Sequence, residues 1–277
     1  MSLFICPVCG GALQRNEKAY LCSGGHAFDL ASEGYVHLLP ANRKHSKLPG
    51  DDKNMVRARN RFLSEGYYEP LRKALAALTL ELSGAEPAIL DSGCGEGWYT
   101  EGIYDALKSA RKAPNIAGID ISKEAVRLAS KRLRNAEFAV ASAYHLPLAA
   151  ESVNIVINCF SPLCSSEFLR VLKTDGYFIY VVPAPRHLWE MKCAIYDRPY
   201  ENERVSAEYE GFRLIKTVNV ESVITLQGRQ TIGDLFAMTP YFWKTPKEGA
   251  SRLEAMNALE TEISFDIYAY RKSTEGV

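Results

Sequence analysis

The stretch AILDSGCGEGWYTEGIYDAL, residues 88–107, passes through three kinds of backbone in quick succession. A short apolar run reads as a buried strand, glycines at every second position read as a turn, and apolar residues at helical spacing follow. Glycines placed directly after a buried strand let the backbone approach a ligand closely. The run is Asp91-Ser-Gly93-Cys-Gly95-Glu-Gly97, with an acid two positions ahead of the first glycine. A second acid, Asp120, closes the next strand (NIAGIDIS) 23 residues beyond Gly97, where a carboxylate suits both hydroxyls of a ribose. The G-x-G-x-G spacing lacks the later glycine of G-x-G-x-x-G, the one that packs a helix against a pyrophosphate, and this counts against NAD.

Strand and helix keep alternating beyond this turn. KEAVRLASKRLR reads as a helix, AEFAVASA, VNIVINCF and YFIYVVPAP as strands, and SEFLRVLK as a helix between the last two. That pattern predicts a doubly wound α/β sheet over residues 85–274, with its ligand at the carboxyl ends of the first strands. HLWEMKCAIY and TIGDLFAMTPYFWK read as further helices and ISFDIYAYRK as a closing strand. Tyr241, Phe242 and Trp243 could stack on bases, but such a cluster more often covers a sheet, and that is the reading adopted.

Ahead of this domain lies CPVCGGALQRNEKAYLCSGGH, residues 6–26. Cys6-x2-Cys9 and Cys22-x3-His26 present two ligand pairs at zinc-knuckle spacing, and adjoining glycines let each knuckle turn tightly. Four protein ligands leave no open coordination position, so the expected Zn²⁺ is structural, stapling a ribbon over residues 1–40 that is too small to bury a core of its own. Residues 41–84 form a basic linker and two helices, broken near Gly66 and Pro70.

The 277-residue chain is 47% hydrophobic and 24% charged, with a formal net charge of zero, which excludes disorder and an all-over basic coat for gripping nucleic acid. The charge is nevertheless uneven. Residues 1–75 carry 11 Lys/Arg against 7 Asp/Glu, concentrated in RKHSKLPGDDKNMVRARNR (43–61), whose Arg57, Arg59 and Arg61 are candidates for contacting RNA phosphates. MSLFICPVCGG lacks the form of a secretory signal, no long apolar span occurs, and seven cysteines suit metal or reduced thiols, so a cytoplasmic protein without a membrane partner is expected.

The D-x-G-x-G-x-G run with its later acid resembles the class I S-adenosylmethionine (SAM) methyltransferases. CPVCG, EGYVHLLP, PGD, EGYYEPLR, LDSGCGEGWYT and PRHLWEMK together make nearly the full chain similar to the RlmA family of 23S rRNA guanine-N1 methyltransferases. The resemblance implies a Rossmann-like class I methyltransferase sheet behind an N-terminal zinc ribbon, with 23S rRNA as partner and Zn²⁺ on Cys6, Cys9, Cys22 and His26. It implies SAM contacts from Tyr68, Tyr99, Thr100, Asp120 and His187, with Asp91, Gly93, Gly95 and Gly97 under the methionine part.

Methyl transfer asks a protein mainly to align a nucleophile in line with the S–CH3 bond and to exclude water. Guanine N1 carries a proton that must leave, and within a duplex it is hidden, so a loop or flipped-out base is expected. Asn158-Cys-Phe-Ser-Pro162 departs from the Asn/Asp-Pro-Pro-aromatic turn of exocyclic-amine methyltransferases, which suits a ring nitrogen bearing one hydrogen. Cys159 and Cys164 lack the setting of a cytosine-methylating nucleophile and read as ordinary buried cysteines. A small-molecule methyltransferase and a non-catalytic SAM- and RNA-binding protein stay open as alternatives. The target guanine, the proton acceptor and the choice between monomer and homodimer are not legible.

Overall fold

The computed structural model describes residues 2–40, 50–205 and 208–273; residues 43–49 of the basic run lie outside that set. Four short strands come first: β1 (Leu13–Arg15), β2 (Ala19–Cys22), β3 (Ala27–Asp29) and β4 (Val36–His37). Asp52 caps α1 (Lys53–Ser64) by accepting from the amides of Asn54 and Met55. Pro70 falls in the first turn of α2 (Glu69–Leu82), where its missing N–H breaks no helical bond. The glycine turn joins β5 (Ala88–Ser92) to α3 (Trp98–Ser109). Next come β6 (Asn115–Asp120), α4 (Lys123–Arg132), β7 (Glu137–Val140), β8 (Val153–Cys159), α5 (Ser165–Val171), β9 (Leu172–Pro183) and α6 (Trp189–Ile195). A long hairpin then pairs β10 (Phe212–Gln227) with β11 (Ala258–Lys272), with α7 (Arg229–Ala237), α8 (Tyr241–Lys244) and α9 (Lys247–Glu254) inserted at its turn.

The large sheet runs β10-β11-β9-β8-β5-β6-β7-β4, parallel except that β11 is antiparallel to both of its neighbours. Strand order reverses between β5 and β8, so the ligand place is at the carboxyl end of β5, flanked by the ends of β8 and β6. Two antiparallel steps return β10 to the direction of β9, and α7–α9 therefore cap the same end of the sheet. The sequence reading places no element over 212–227. β10 occupies it as an edge strand with much of its surface in solvent, so it lacks the continuous apolar run that marks the inner strands.

Both faces of the sheet are covered. On one, Leu71 and Leu75 of α2, Ile103 and Leu107 of α3 and Val126 of α4 pack with Ile89, Ile116 and Phe138. On the other, Phe168 of α5, Phe178 and Tyr270 share a core with Phe4, Leu13 and Tyr20, which come from the N-terminal segment. Those three lie with Leu90, Ala117, Ile119 and Ala139, so the small β1-β2-β3 sheet fills a layer that a helix would otherwise supply. Hydrogen bonds lock it there: the Ile5 amide to the Pro147 carbonyl at 2.8 Å, the Tyr20 hydroxyl to Glu137 Oε1 at 2.8 Å and the Leu3 amide to Glu137 Oε2 at 3.1 Å. β4 then pairs in parallel with β7 and covers its edge. The ribbon, too small for a core, borrows one.

One aromatic expectation is corrected. Tyr241 packs inward, but Phe242 is 43% and Trp243 66% exposed, because α8 is a single turn and successive helical residues cannot all face one sheet. Among the described residues, no helix is long and apolar enough to cross a membrane.

Candidate active site and zinc centre

Cys6, Cys9, Cys22 and His26 meet at one end of the ribbon, their ligand atoms all within 4.8 Å of one another. Cys9 Sγ lies 3.7 Å from Cys22 Sγ, and His26 Nδ1 lies 3.6 Å from Cys6 Sγ and 3.4 Å from Cys22 Sγ. These are edges of a tetrahedron: Zn–S and Zn–N bonds of about 2.3 and 2.0 Å place S···S at about 3.8 Å and S···N at about 3.5 Å. The Cys22-His26 knuckle turns through Gly25 at φ +81°, and a Cβ on Gly24 would come 3.3 Å from Cys9 Sγ, so the backbone wraps close to the ligand atoms. The donor set and its geometry fit Zn²⁺.

At the sheet's carboxyl end, the amides of Gly93 and Cys94 both donate to the Ile119 carbonyl, at 2.8 and 2.9 Å, which folds the glycine turn onto β6. Asp120 pins it further, accepting the Gly95 amide at 3.1 Å and the Ser122 amide at 2.8 Å. Thr100 donates its hydroxyl to Asp91 Oδ2 at 2.6 Å, so its role is to hold Asp91. Burial pushes the Asp91 carboxyl up to about 7, with the charges of Asp120 and Glu96 adding to the shift, and burial raises Glu96 and Asp120 as well. Of the seven buried side-chain polar atoms without a partner among the described residues, five gather at this end of the sheet: Asp91 Oδ1, Ser92 Oγ, Glu96 Oε2, Tyr99 Oη and Asn158 Oδ1. Buried polar atoms are normally satisfied, and this concentration of acceptors awaits donors.

The opposite wall is aromatic. Tyr68, next to the first turn of α2, and His187, just ahead of α6, meet with ring centroids 6.0 Å apart. Phe265 of β11 packs on both, and Phe160 bridges from Phe265 (5.5 Å) to Tyr99 (6.4 Å). Phe160 and Leu188 stand at φ +55° and +58°, just beyond β8 and β9, a conformation that costs a side-chain-bearing residue roughly 1–2 kcal/mol. The Cys159 thiol is buried and held protonated, against a nucleophilic role.

The three arginines are engaged within the chain. Arg57 pairs with Glu124, and Arg61 holds Asp234 through two bonds of 2.8 and 2.6 Å, tying α1 to α7. Arg59 pairs with Asp51 and turns toward Glu96 and Asp120, its Nη1 3.6 Å from where a Cβ on Gly95 would lie. Because residues two apart on a helix point to opposite sides, Arg59 faces the glycine turn, whereas the side chains of Arg57 and Arg61 stay 56% and 49% exposed on another side of α1.

Of the nine expected cofactor residues, Asp91, Gly93, Gly95, Tyr99 and Asp120 thus gather at the carboxyl ends of β5 and β6 and Tyr68 and His187 meet each other, while Thr100 lies behind Asp91 and Gly97 packs against Ala129 of α4. Glu96 and Asn158 lie at the same end, and Phe160 and Phe265 link the two groups. Glu96, between two of the glycines, was findable from the motif; Phe265 had no signal, being far away in sequence from everything it touches.

Residues 4–47 match the RlmA N-terminal zinc-ribbon family, and residues 84–227 match a methyltransferase-domain family. A Bacillus subtilis (strain 168) protein provisionally named a 23S rRNA (guanine-N1)-methyltransferase is 34% identical over 276 residues, 96% of each chain. The chain belongs to the RlmA family. A second relative, the 23S rRNA (guanine(748)-N1)-methyltransferase of Streptomyces fradiae, is 30% identical over 270 residues, 95% of this chain and 93% of its own. The demethylmenaquinone methyltransferase of Thermotoga maritima matches 57% of this chain, at 28% identity. As an RlmA-family protein the chain is a SAM-dependent methyltransferase with a structural zinc. The orphaned atoms fit SAM: three acceptor oxygens and two hydroxyls face a ligand whose ammonium, ribose hydroxyls and adenine amine are donors and whose sulfonium is cationic.

Proposed function

We propose that this enzyme transfers the methyl group of SAM to N1 of a guanine in a hairpin loop of 23S rRNA, in the cytoplasm. The observation that carries the reading is the span of the match: relatives named for rRNA guanine-N1 methylation match ribbon and catalytic domain together, whereas the quinone-pathway relative matches a little over half of the chain.

Bound in the crevice, SAM supplies an electrophilic methyl group on a sulfonium. Asp91, Glu96 and Asp120 form a negative cradle for that cation, with Arg59 offsetting part of their mutual repulsion. In this reading Asp120 takes the ribose hydroxyls, and Tyr68, Tyr99 and His187 wall the reacting end from water. Guanine N1 gives up its proton and takes the methyl. His187 is not the acceptor: burial, with the charge of Lys192 adding, drives it down to about 3, and its Nδ1 lone pair is occupied by the Ser264 amide. Tyr68 and Tyr99 hold their own protons, raised by burial, so neither takes it.

The test compares rRNA and quinone-type metabolites as acceptors of labelled methyl groups. Primer extension on treated 23S rRNA should stop at one guanine, because a methyl on N1 blocks Watson–Crick pairing. Methylation of a metabolite with no such stop would replace this reading with a small-molecule one.

A further inference from the structure

Phe160 sits in a place the fold itself does not reward. Its backbone is left-handed at φ +55°, where glycine would be unstrained, and its ring is 45% exposed, so the contact it makes in the free protein recovers little apolar burial. The turn around it is nevertheless fixed from several sides. The Phe160 amide donates to the Val181 carbonyl at 3.2 Å, and Asn158 Nδ2 donates to Ser161 Oγ at 2.8 Å and to the Pro162 carbonyl at 3.0 Å. Ser161 Oγ in turn donates to the Ser92 carbonyl at 2.6 Å, and this approach depends on Gly93, where an added Cβ would fall 2.2 Å from the Ser161 side chain. The strained turn is thereby clamped to the cofactor loop, and the exposed ring is held at the lip where the acid cradle meets the aromatic wall of Tyr99 and Phe265.

We propose that Phe160 is the platform on which the flipped target guanine stacks, which deepens and rests on the rRNA reading above. A flipped purine has lost its stacking neighbours, and an aromatic face of fixed orientation replaces them while leaving the base edge free to be turned toward the methyl donor. Strain stored at a clamped turn is the form such preorganisation takes. Asn158 Oδ1 is buried without a partner directly before this turn.

The experiment uses the full-length zinc-loaded enzyme and the 23S rRNA hairpin that it methylates, with Phe160→Ala, Phe160→Gly and Phe160→Trp. Loss of the platform should lower kcat/KM for the hairpin on the order of tenfold to a hundredfold in the alanine and glycine variants, the range set by removing a base-stacking ring. SAM affinity by calorimetry should be unchanged, tryptophan should restore turnover, and the glycine variant should keep or raise Tm because its left-handed backbone is unstrained. Hairpin turnover equal to wild type in the alanine variant overturns the platform. So does a fall in SAM affinity that accounts for the lost activity, which would make the ring a cofactor wall, or a fall in Tm that accounts for it, which would make the ring a packing element. If wild-type enzyme with SAM bound methylates no guanine in rRNA, the underlying reading fails, and the platform with it.

Discussion

The hydroxyl oxygen of Tyr68 lies 3.4 Å from Nε2 of His187, while Nδ1 of the same ring accepts the Ser264 amide at 3.3 Å. Since Nδ1 is the acceptor, the neutral ring carries its proton on Nε2 and donates it toward Tyr68. Residues from three separate elements therefore fix one tautomer at the reacting end of the crevice.

The pH dependence of folding follows from that ring. His187 is held down at about 3 against an ordinary 6.5, so between those values the unfolded chain binds a proton that the native protein does not. Native stability should fall as pH drops below about 6.5, with a limiting slope of about 1.4 kcal/mol per pH unit from this group. Thermal denaturation of His187→Gln should show a flatter acid limb. An identical limb would mean that the ring titrates normally.

Asp91 sets a pH dependence for cofactor binding. With its carboxyl raised to about 7 in the free protein, capture of a cationic ligand must expel a proton below that pH. SAM should bind more tightly as pH rises from about 6 to 8, with proton release detectable by calorimetry in buffers of different ionisation heat, and Asp91→Asn should abolish the slope. For folding the same shift works the other way: the stability that protonated Asp91 contributes is present below about 3.8 and is lost as pH rises through about 7.

Asp120→Ala removes a charged acceptor, for which losses of about 1.5–3 kcal/mol are typical, and SAM affinity measured by calorimetry should fall accordingly. Because Asp120 pins the Gly95 and Ser122 amides through its two separate oxygens, Asp120→Asn, with one acceptor oxygen, should recover part of the loss by keeping one of those bonds. Unaltered affinity in the alanine variant would remove Asp120 from the cofactor site.

The arginines should separate. Arg59→Ala, which empties the cradle of its counter-charge, should weaken SAM binding, whereas Arg57→Ala should leave it alone, its partner Glu124 being outside the crevice. Equal effects of the two on SAM affinity would contradict the opposed faces of α1.

Zinc binding in small domains is worth on the order of 10–16 kcal/mol and is folding free energy. Cys22→Ser should release the metal and expose the amides of β1–β3 to hydrogen exchange. Val36 and Leu38 should stay protected, since they are buried in the sheet's own core. The variant should also lose thermal stability in the catalytic domain, because Phe4 and Tyr20 lie in that core too. A ribbon that unfolds with no change in the domain's Tm would show the two to be independent.

The parts that were legible in the amino-acid order are those in which neighbours along the chain do the chemistry together. A tight turn after a buried strand needs its glycines within a few residues, a capping acid such as Asp52 acts on amides two and three positions away, and two zinc knuckles are ligand pairs by construction. Asp91, Gly93, Gly95, Gly97, Asp120 and the four zinc ligands could therefore be named from spacing, while Tyr68, Tyr99, Thr100 and His187 came from family likeness. What only the folded chain decides are relations across long separations that leave no periodic trace. Phe265 reaches Phe160, Tyr68 and His187 because β11 runs against β9, and the ribbon becomes a layer of the main core because Phe4 and Tyr20 share a buried cluster with Leu90 and Ala117. The arginines show the limit most directly: charge and order alone mark three basic candidates, and it is the rotation of α1 and the acids brought against it, Glu124 on one side, Asp51 and Glu96 on another and Asp234 from α7, that turns Arg59 inward and leaves Arg57 and Arg61 in half-exposed ion pairs.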